Sequence, residues 1–168
     1  MPESTRLSLV KQVPRALPGR ATPPENWHFT LRFLGRTDVS RRERLVDVLQ
    51  SVDFGSAFDM ELDRLGAFPN ARRARVIWVG AGNGHTKLEH LAEKAEAAAV
   101  ESGFDAESRK FSAHLTISRI RQSEPVSEFL GGAARIHAMM RVTEVVLFRS
   151  EPGGQNSRYT VVAAFLLS

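Results

Sequence analysis

The chain has 168 residues, enough for one domain with a hydrophobic core, and its lack of cysteine excludes disulfides, thiolate metal ligands and cysteine nucleophiles. Its 23 lysines and arginines against 19 acidic residues give a net charge of +4, which permits an anionic ligand without selecting one. Because no apolar run approaches the roughly 18 residues of a membrane span, and the N-terminus lacks the apolar core of a signal peptide, we expect a soluble cytoplasmic protein with no membrane partner.

The first half of the chain predicts three strands and one helix. Residues 27–34 alternate between polar and apolar side chains and are rich in β-forming types, which predicts a strand. Ser40 is placed to cap a helix. Two further strands are predicted over 58–62 and 75–80. The apolar stripe of the helix consists of Leu45, Val48, Leu49 and Val52.

The second half predicts a helix followed by three strands. The helix covers 86–102 and ends at a glycine. A strand follows over 114–119. The last two strands are predicted over 142–148 and 159–167, joined by a turn at 151–154 that contains proline and glycine.

The two halves repeat the same landmarks in the same order. His28 and Thr30 open a strand in the first half, as His114 and Thr116 do in the second, and the two separations are identical. An arginine further along each half, at positions 64 and 149, keeps that separation to within one residue. Such regular spacing is what a duplication with a pseudo-twofold axis would leave.

Each His-x-Thr motif predicts one polar face, because successive side chains of a strand point to opposite sides of the sheet. The apolar residues between the polar ones would pack in the core. The polar face would meet water or a ligand. We therefore expect His28, Thr30 and Arg32 to share one face, and His114, Thr116 and Ser118 to share another.

Two imidazoles and two hydroxyls around a phosphate suffice for acid–base cleavage of a phosphodiester. One neutral histidine can accept a proton from water while the other, protonated, supplies one to the leaving oxygen. The threonine hydroxyls can donate hydrogen bonds to the non-bridging oxygens. The pattern therefore proposes His28 and His114 for proton transfer and Thr30 and Thr116 for the phosphate, without a metal.

No metal site or cofactor is predicted. His85, His90 and His137 stand outside any such motif and are assigned to the surface or to helix caps. There is no HExxH sequence and no third well-spaced ligand for zinc. The glycine-rich stretch at 80–84 lacks the lysine and the spacing of a nucleotide-binding loop and predicts a turn.

These motifs and their flanks resemble the two-histidine (2H) phosphoesterases, specifically their LigT-like RNA 2′,3′-cyclic phosphodiesterase branch. The match is carried by 23–35, 75–80 and 111–117, with weaker echoes at 145–150 and 158–161. The resemblance implies an α+β fold with two pseudo-twofold-related lobes, each holding an antiparallel sheet and helices, around a central cleft.

The same resemblance implies one domain spanning 1–168, with the lobe motifs at 28–31 and 114–117. It implies hydrolysis of RNA 2′,3′-cyclic phosphate ends to a 2′-phosphate, and possible 2′–5′ ligation in reverse. By the family's pattern His28 is the proton donor and His114 the proton acceptor. The symmetric pair of motifs does not itself reveal that direction.

The N-terminal region departs from the family, since only 27 residues precede His28. Either 6–10 forms the family's first strand before a shortened helix, or that strand is missing. A missing strand would expose a sheet edge and could force pairing with another chain. The sequence leaves the oligomeric state open.

Candidates for the substrate side are aromatic and basic residues near the motifs. Phe68, Trp78 and Tyr159 could each stack a base, although a place in the hydrophobic core also suits each of them. Arginines could hold phosphates, with solvated loops as the alternative. Alternation places Arg119 on the opposite face from His114. The candidates are Arg32, Phe68, Arg72, Arg73, Trp78, Arg119 and Tyr159.

The expected partners are RNA ends or nucleotides carrying a cyclic phosphate, and two alternatives stay open. The same chemistry could serve another nucleotide cyclic phosphate or a 2′–5′ oligonucleotide. A module that binds RNA or nucleotides without turnover is the alternative from another class. Intact histidine and threonine in both motifs favour an enzyme, because binding alone would tolerate other polar residues there.

Overall fold

The computed structural model describes residues 1–133, 135–153 and 156–168. The helices of this part of the chain are α1 (Glu3–Gln12), α2 (Val39–Ser51), α3 (His85–Glu101) and α4 (Ser127–Gly132). None of the helices described here is long and apolar enough to cross a membrane. The strands are β1 (Arg20–Ala21), β2 (Phe58–Phe68), β3 (Ala74–Ala81), β4 (His114–Glu124), β5 (Ala138–Val142), β6 (Glu144–Gly153) and β7 (Asn156–Leu166).

The strands form two antiparallel sheets of unequal size. The larger has five strands in the order β1-β4-β3-β2-β5, and the smaller consists of β6 and β7. Helices α2 and α3 contact each other and bury leucines on their inner faces. The expected mixed fold with antiparallel sheets and helices is confirmed. A single bilobal domain over 1–168, with its motifs at 28–31 and 114–117, stays a prediction.

Most predicted elements are confirmed, with local differences. Helix α2 is capped by Asp38 rather than by Ser40, because the Asp38 carboxylate accepts a hydrogen bond from the backbone N–H of Arg41 at 2.8 Å. Part of the predicted turn at 151–154 belongs to β6, and Gly154 lies outside the described residues. The sequence interpretation missed α1, β1, α4 and β5.

The predicted strand at 27–34 is the main correction. This segment makes one β-bridge, Phe29 to Leu115, and then bends at Leu31. The pairing stops because β4, the neighbouring strand, begins at His114, only one residue before the bridge partner Leu115. Beyond Thr30, the part of the chain that the structure describes places no strand beside this segment with which it could form a ladder.

The N-terminal residues form a helix. Residues 6–10 lie within α1, so the first of the two alternatives for this region is wrong. Thr5 and Leu9 are buried, and the Thr5 hydroxyl donates to the Met139 carbonyl at 2.8 Å. Helix α1 therefore packs against β5 at the edge of the larger sheet.

Candidate active site

The two His-x-Thr motifs meet at the Phe29–Leu115 bridge. In an antiparallel pair the residues that flank a bridge also face each other, so His28 faces Thr116 and Thr30 faces His114. Leu115 is fully buried and Phe29 packs against the core, so alternation turns the four polar side chains to the opposite side. All four line one large cleft of about 2080 Å³.

Both histidines are oriented by the main chain in the same way. Nδ1 of His28 lies 2.7 Å from the carbonyl oxygen of Asn26, and Nδ1 of His114 lies 2.8 Å from that of Ser112. A carbonyl oxygen can only accept, so Nδ1 of each ring carries the proton and donates it. Nε2 of each ring is thereby left for chemistry in the cleft.

A β-bulge in β4 changes the face of the residues after Thr116. Thr116 pairs with Trp78 and Ser118 pairs with the adjacent Ile77, so Ile117 is an extra residue without a partner of its own on β3. Ser118 is therefore fully buried, which corrects the expectation that it shares the polar face. Its hydroxyl shares its one proton between the carbonyl oxygens of Pro18 and, at 3.0 Å, Arg20, which attaches β1 to β4.

The same bulge brings Arg119 to the cleft. Strict alternation placed it opposite His114, and that expectation is wrong because the extra residue reverses the alternation. Arg119 pairs with Val76, is exposed and lines the same cleft as the two histidines. Its positive charge contributes to the lowered pKa of His28, behind burial, which is the largest cause.

Trp78 lies on the same face of the larger sheet as Thr116, not in its core. It pairs with Gly66 of β2 on one side and Thr116 of β4 on the other. A Cβ on Gly66 would come within 2.2 Å of the indole, and one on Gly80 within 2.7 Å. Glycine at both positions therefore makes room for the indole beside Thr116.

Aromatic rings contact each catalytic candidate. The Phe68 ring meets His114 edge-on at 4.9 Å between centroids and also packs on Trp78 at 5.2 Å. Tyr159 meets His28 edge-on at 4.9 Å, with Phe148 at 5.9 Å. Each imidazole is therefore walled by apolar surface, supplied by β2 for one and by the β6–β7 sheet for the other.

His28 has a lowered pKa in the free protein. Burial is the largest cause, since removing the ring from water disfavours its charged form. The Asn26 carbonyl opposes this shift. The positive charges of the N-terminal amine, Arg119 and His114 add to it.

The remaining arginine candidates are placed differently. Arg32 lines the cleft, but its guanidinium contacts Glu96 and Glu107, and its side chain is only 14% exposed. Arg72 and Arg73 are exposed on the loop after β2, where the Asn70 side chain accepts hydrogen bonds from their backbone N–H groups. That loop is next to Phe68, outside the lining of the large cleft.

Sequence reasoning missed two residues of the site. Asn26 supplies the carbonyl that orients His28, and its side chain donates to the Ser157 carbonyl at 3.1 Å. Phe148 contacts both His28 and Tyr159. Both lie in segments that carry the family resemblance, but neither their residue type nor their spacing marked them as site residues. Gly66 and Gly80 did carry a signal, since isolated glycines within strands indicate the close approach of another group.

Comparison with known proteins places the chain among similar sequences and folds. The family model described as LigT like Phosphoesterase matches residues 2–78 and 79–159. An RNA 2′,3′-cyclic phosphodiesterase of Methanothermobacter thermautotrophicus is 34% identical over 149 residues, which is 86% of this chain and 80% of that protein. One of Aeropyrum pernix is 36% identical over 105 residues, 62% of this chain and 59% of that protein. The apo crystal structure of Escherichia coli LigT matches with a TM-score of 0.80 at 25% identity, covering 100% of this chain and 93% of that one.

Proposed function

The chain belongs to the LigT-like phosphoesterase family, and from that premise we propose that it hydrolyses 2′,3′-cyclic phosphate ends of RNA to 2′-phosphates. One observation carries the proposal. The Phe29–Leu115 bridge sets the two His-x-Thr motifs antiparallel, so that two imidazoles and two hydroxyls face one cleft. This is the set of groups that an in-line displacement at phosphorus needs.

The proposed reaction uses the two histidines on opposite sides of the phosphorus. Nε2 of His114 accepts a proton from water as the water oxygen forms a bond to phosphorus. The bond from phosphorus to the 3′ oxygen breaks, and His28 donates its Nε2 proton to that oxygen. The products are a free 3′-hydroxyl and a 2′-phosphate. Thr30 and Thr116 donate to the non-bridging oxygens, where charge increases.

The direction of proton transfer rests on the family resemblance, and the pKa of His28 bears on it. Its lowered pKa favours the neutral ring in the free protein, the form that suits a base. A bound anionic phosphate favours the charged ring and raises the pKa again. His28 can therefore act as the acid once substrate is bound, and activity should depend on pH differently in free and bound enzyme.

The substrate candidates divide into two groups by position. Arg119 is exposed in the cleft and is proposed to contact the phosphate or the next one along the RNA. Tyr159 on one side, and Phe68 with Trp78 on the other, are proposed to stack the terminal base. Arg72 and Arg73, on the loop after β2, are proposed to contact phosphates further from the reacting end.

The test is turnover of an RNA oligomer that ends in a 2′,3′-cyclic phosphate, with EDTA present. We expect a 2′-phosphate product, identified by mass and by its resistance to a 3′-specific phosphatase. His28→Ala and His114→Ala should each lower kcat/KM by about 10²- to 10⁴-fold, the usual contribution of a positioned acid or base. His90→Ala, on the exposed face of α3, is the matched control and should keep wild-type activity.

Other outcomes would select the alternatives. Turnover of a different nucleotide cyclic phosphate or of a 2′–5′ oligonucleotide, with no reaction on RNA ends, would keep the chemistry and change the substrate. RNA binding without turnover, unaffected by His28→Ala in a folded sample, would favour a binding module and contradict the proposed enzyme.

A further inference from the structure

The segment that carries His28 and Thr30 has little backbone support of its own. Phe29 to Leu115 is the one β-pairing that the described residues give to 28–34. Paired strands hold side chains in place through rows of hydrogen bonds, which this segment lacks. Contacts other than strand pairing must therefore fix the positions of the His28 and Thr30 side chains.

Arg32 supplies contacts to this segment from a different part of the fold. Its Nε lies 2.5 Å from a carboxylate oxygen of Glu96 on α3, and one terminal nitrogen lies 3.6 Å from Glu107. The terminal nitrogens also donate to the carbonyls of Asp105, at 2.5 Å, and Phe33, at 2.8 Å. The guanidinium is thus surrounded by acceptors of the protein.

Glu96 connects these contacts. Its other carboxylate oxygen accepts from the backbone N–H of Glu107 at 2.7 Å, which ties the 105–107 loop to α3. Hydrogen bonds from Arg109 lower the pKa of Glu107 to about 2, so that carboxylate is charged near neutrality. Arg32 therefore faces two acidic groups that are fixed by other parts of the chain.

We propose that Arg32 is a positioning residue, which holds the first His-x-Thr motif through the ion pair of its guanidinium with Glu96 and its contact with Glu107. Arg32 follows Thr30 by two residues, so its anchor limits how far Thr30 and His28 can move. It does not contact the phosphate. The pair is largely withdrawn from water, so removing one partner leaves the charge of the other only partly compensated by its remaining contacts.

This proposal rests on the proposed hydrolysis. One of its measurements, the ring ¹⁵N shifts of His28 in the free protein, does not depend on turnover. The variants are Arg32→Gln, Glu96→Gln, their double variant and Arg32→Lys, with Arg6→Gln as the matched control. Arg6 pairs with Glu3 on α1 and takes no part in the contacts among Arg32, Glu96 and Glu107. The measurements are kcat, KM, the melting temperature and the ring ¹⁵N shifts of His28 in the free protein.

We expect Arg32→Gln to lower kcat by about 10- to 100-fold, with KM changed far less, because a displacement of about 1 Å in a reacting group has effects of this size. Glu96→Gln should act in the same direction. The double variant should be no worse than the poorer single variant, since both remove one interaction. Arg32→Lys should recover part of the loss, and Arg6→Gln should match wild type.

A rise in KM with kcat unchanged would overturn the proposal and make Arg32 a substrate contact. Wild-type kinetics in Arg32→Gln, additive losses in the double variant, or an equal loss in Arg6→Gln would also overturn it. If Arg32→Gln does not fold, Arg32→Lys and Glu96→Gln carry the same test. If RNA cyclic phosphate is not a substrate, the His28 ring shifts still decide, since they should move in Arg32→Gln but not in Arg6→Gln.

Discussion

The two histidines share one local geometry but stand on different supports. His114 opens β4, which is paired with β3 along its length and with β1 at one edge. His28 lies on a segment with a single bridge. A ladder holds a residue through backbone atoms that every substitution except proline retains, whereas a segment with one bridge depends more on the side chains that anchor it. The two halves of one site should therefore respond to mutation in different ways.

The largest of the following effects should come from a substitution in β2, within the sheet that carries His114. Gly66→Ala would place a Cβ within 2.2 Å of the Trp78 indole, a rigid ring that cannot simply rotate away. We expect unfolding free energy to fall by about 1–3 kcal/mol, the usual cost of overpacking. Chemical denaturation measures this loss. Gly131→Ala, which meets nothing within 4 Å, is the control. Unchanged stability in Gly66→Ala would show that the indole does not lie against this strand.

A smaller effect is expected from substitutions at Asn26 and Ser112, the two residues whose carbonyls orient the histidines. Asn26→Ala keeps the carbonyl that binds His28 but removes its hydrogen bond to Ser157. The loss of one such bond is worth about 0.5–1.5 kcal/mol, so we expect kcat to fall between about two- and tenfold. Ser112→Ala, at the corresponding position before His114, is the control, and its kcat should stay near that of the wild type because β4 is held by its paired strands. An equal loss of kcat in both variants would contradict the view that His28 depends more on side-chain contacts than His114 does.

The smallest effect concerns the pH dependence of stability. A histidine whose pKa is lower in the folded than in the unfolded chain binds fewer protons in the native state between those two values. Unfolding free energy therefore decreases as pH falls from 6.5 toward the lowered pKa of His28. Melting curves of wild type and His28→Asn at pH 8 and pH 5.5 measure this. The wild type should lose more stability than the variant, and parallel losses would contradict the burial of His28.

Much of this arrangement follows from the sequence, and the exceptions have physical reasons. The equal spacing of the motifs made His28 and His114 candidates, and the structure brings both motifs to one cleft. The face of Arg119 could not be predicted, since one extra residue in β4 leaves no mark on hydrophobic alternation. The single bridge at Phe29 was equally hidden, because a sequence shows which residues favour a strand but not whether a neighbouring strand extends far enough to pair.

The carbonyls two residues before each histidine have a consequence for how such a site can diverge. Many enzymes orient a catalytic imidazole with a carboxylate side chain, which a single codon change can remove. Here the acceptor belongs to the main chain, and every amino acid supplies it. Drift at positions 26 and 112 can weaken the alignment of the rings but cannot reverse which nitrogen carries the proton. The main chain thus keeps Nε2 of both rings available in the cleft whatever side chains stand at these two positions.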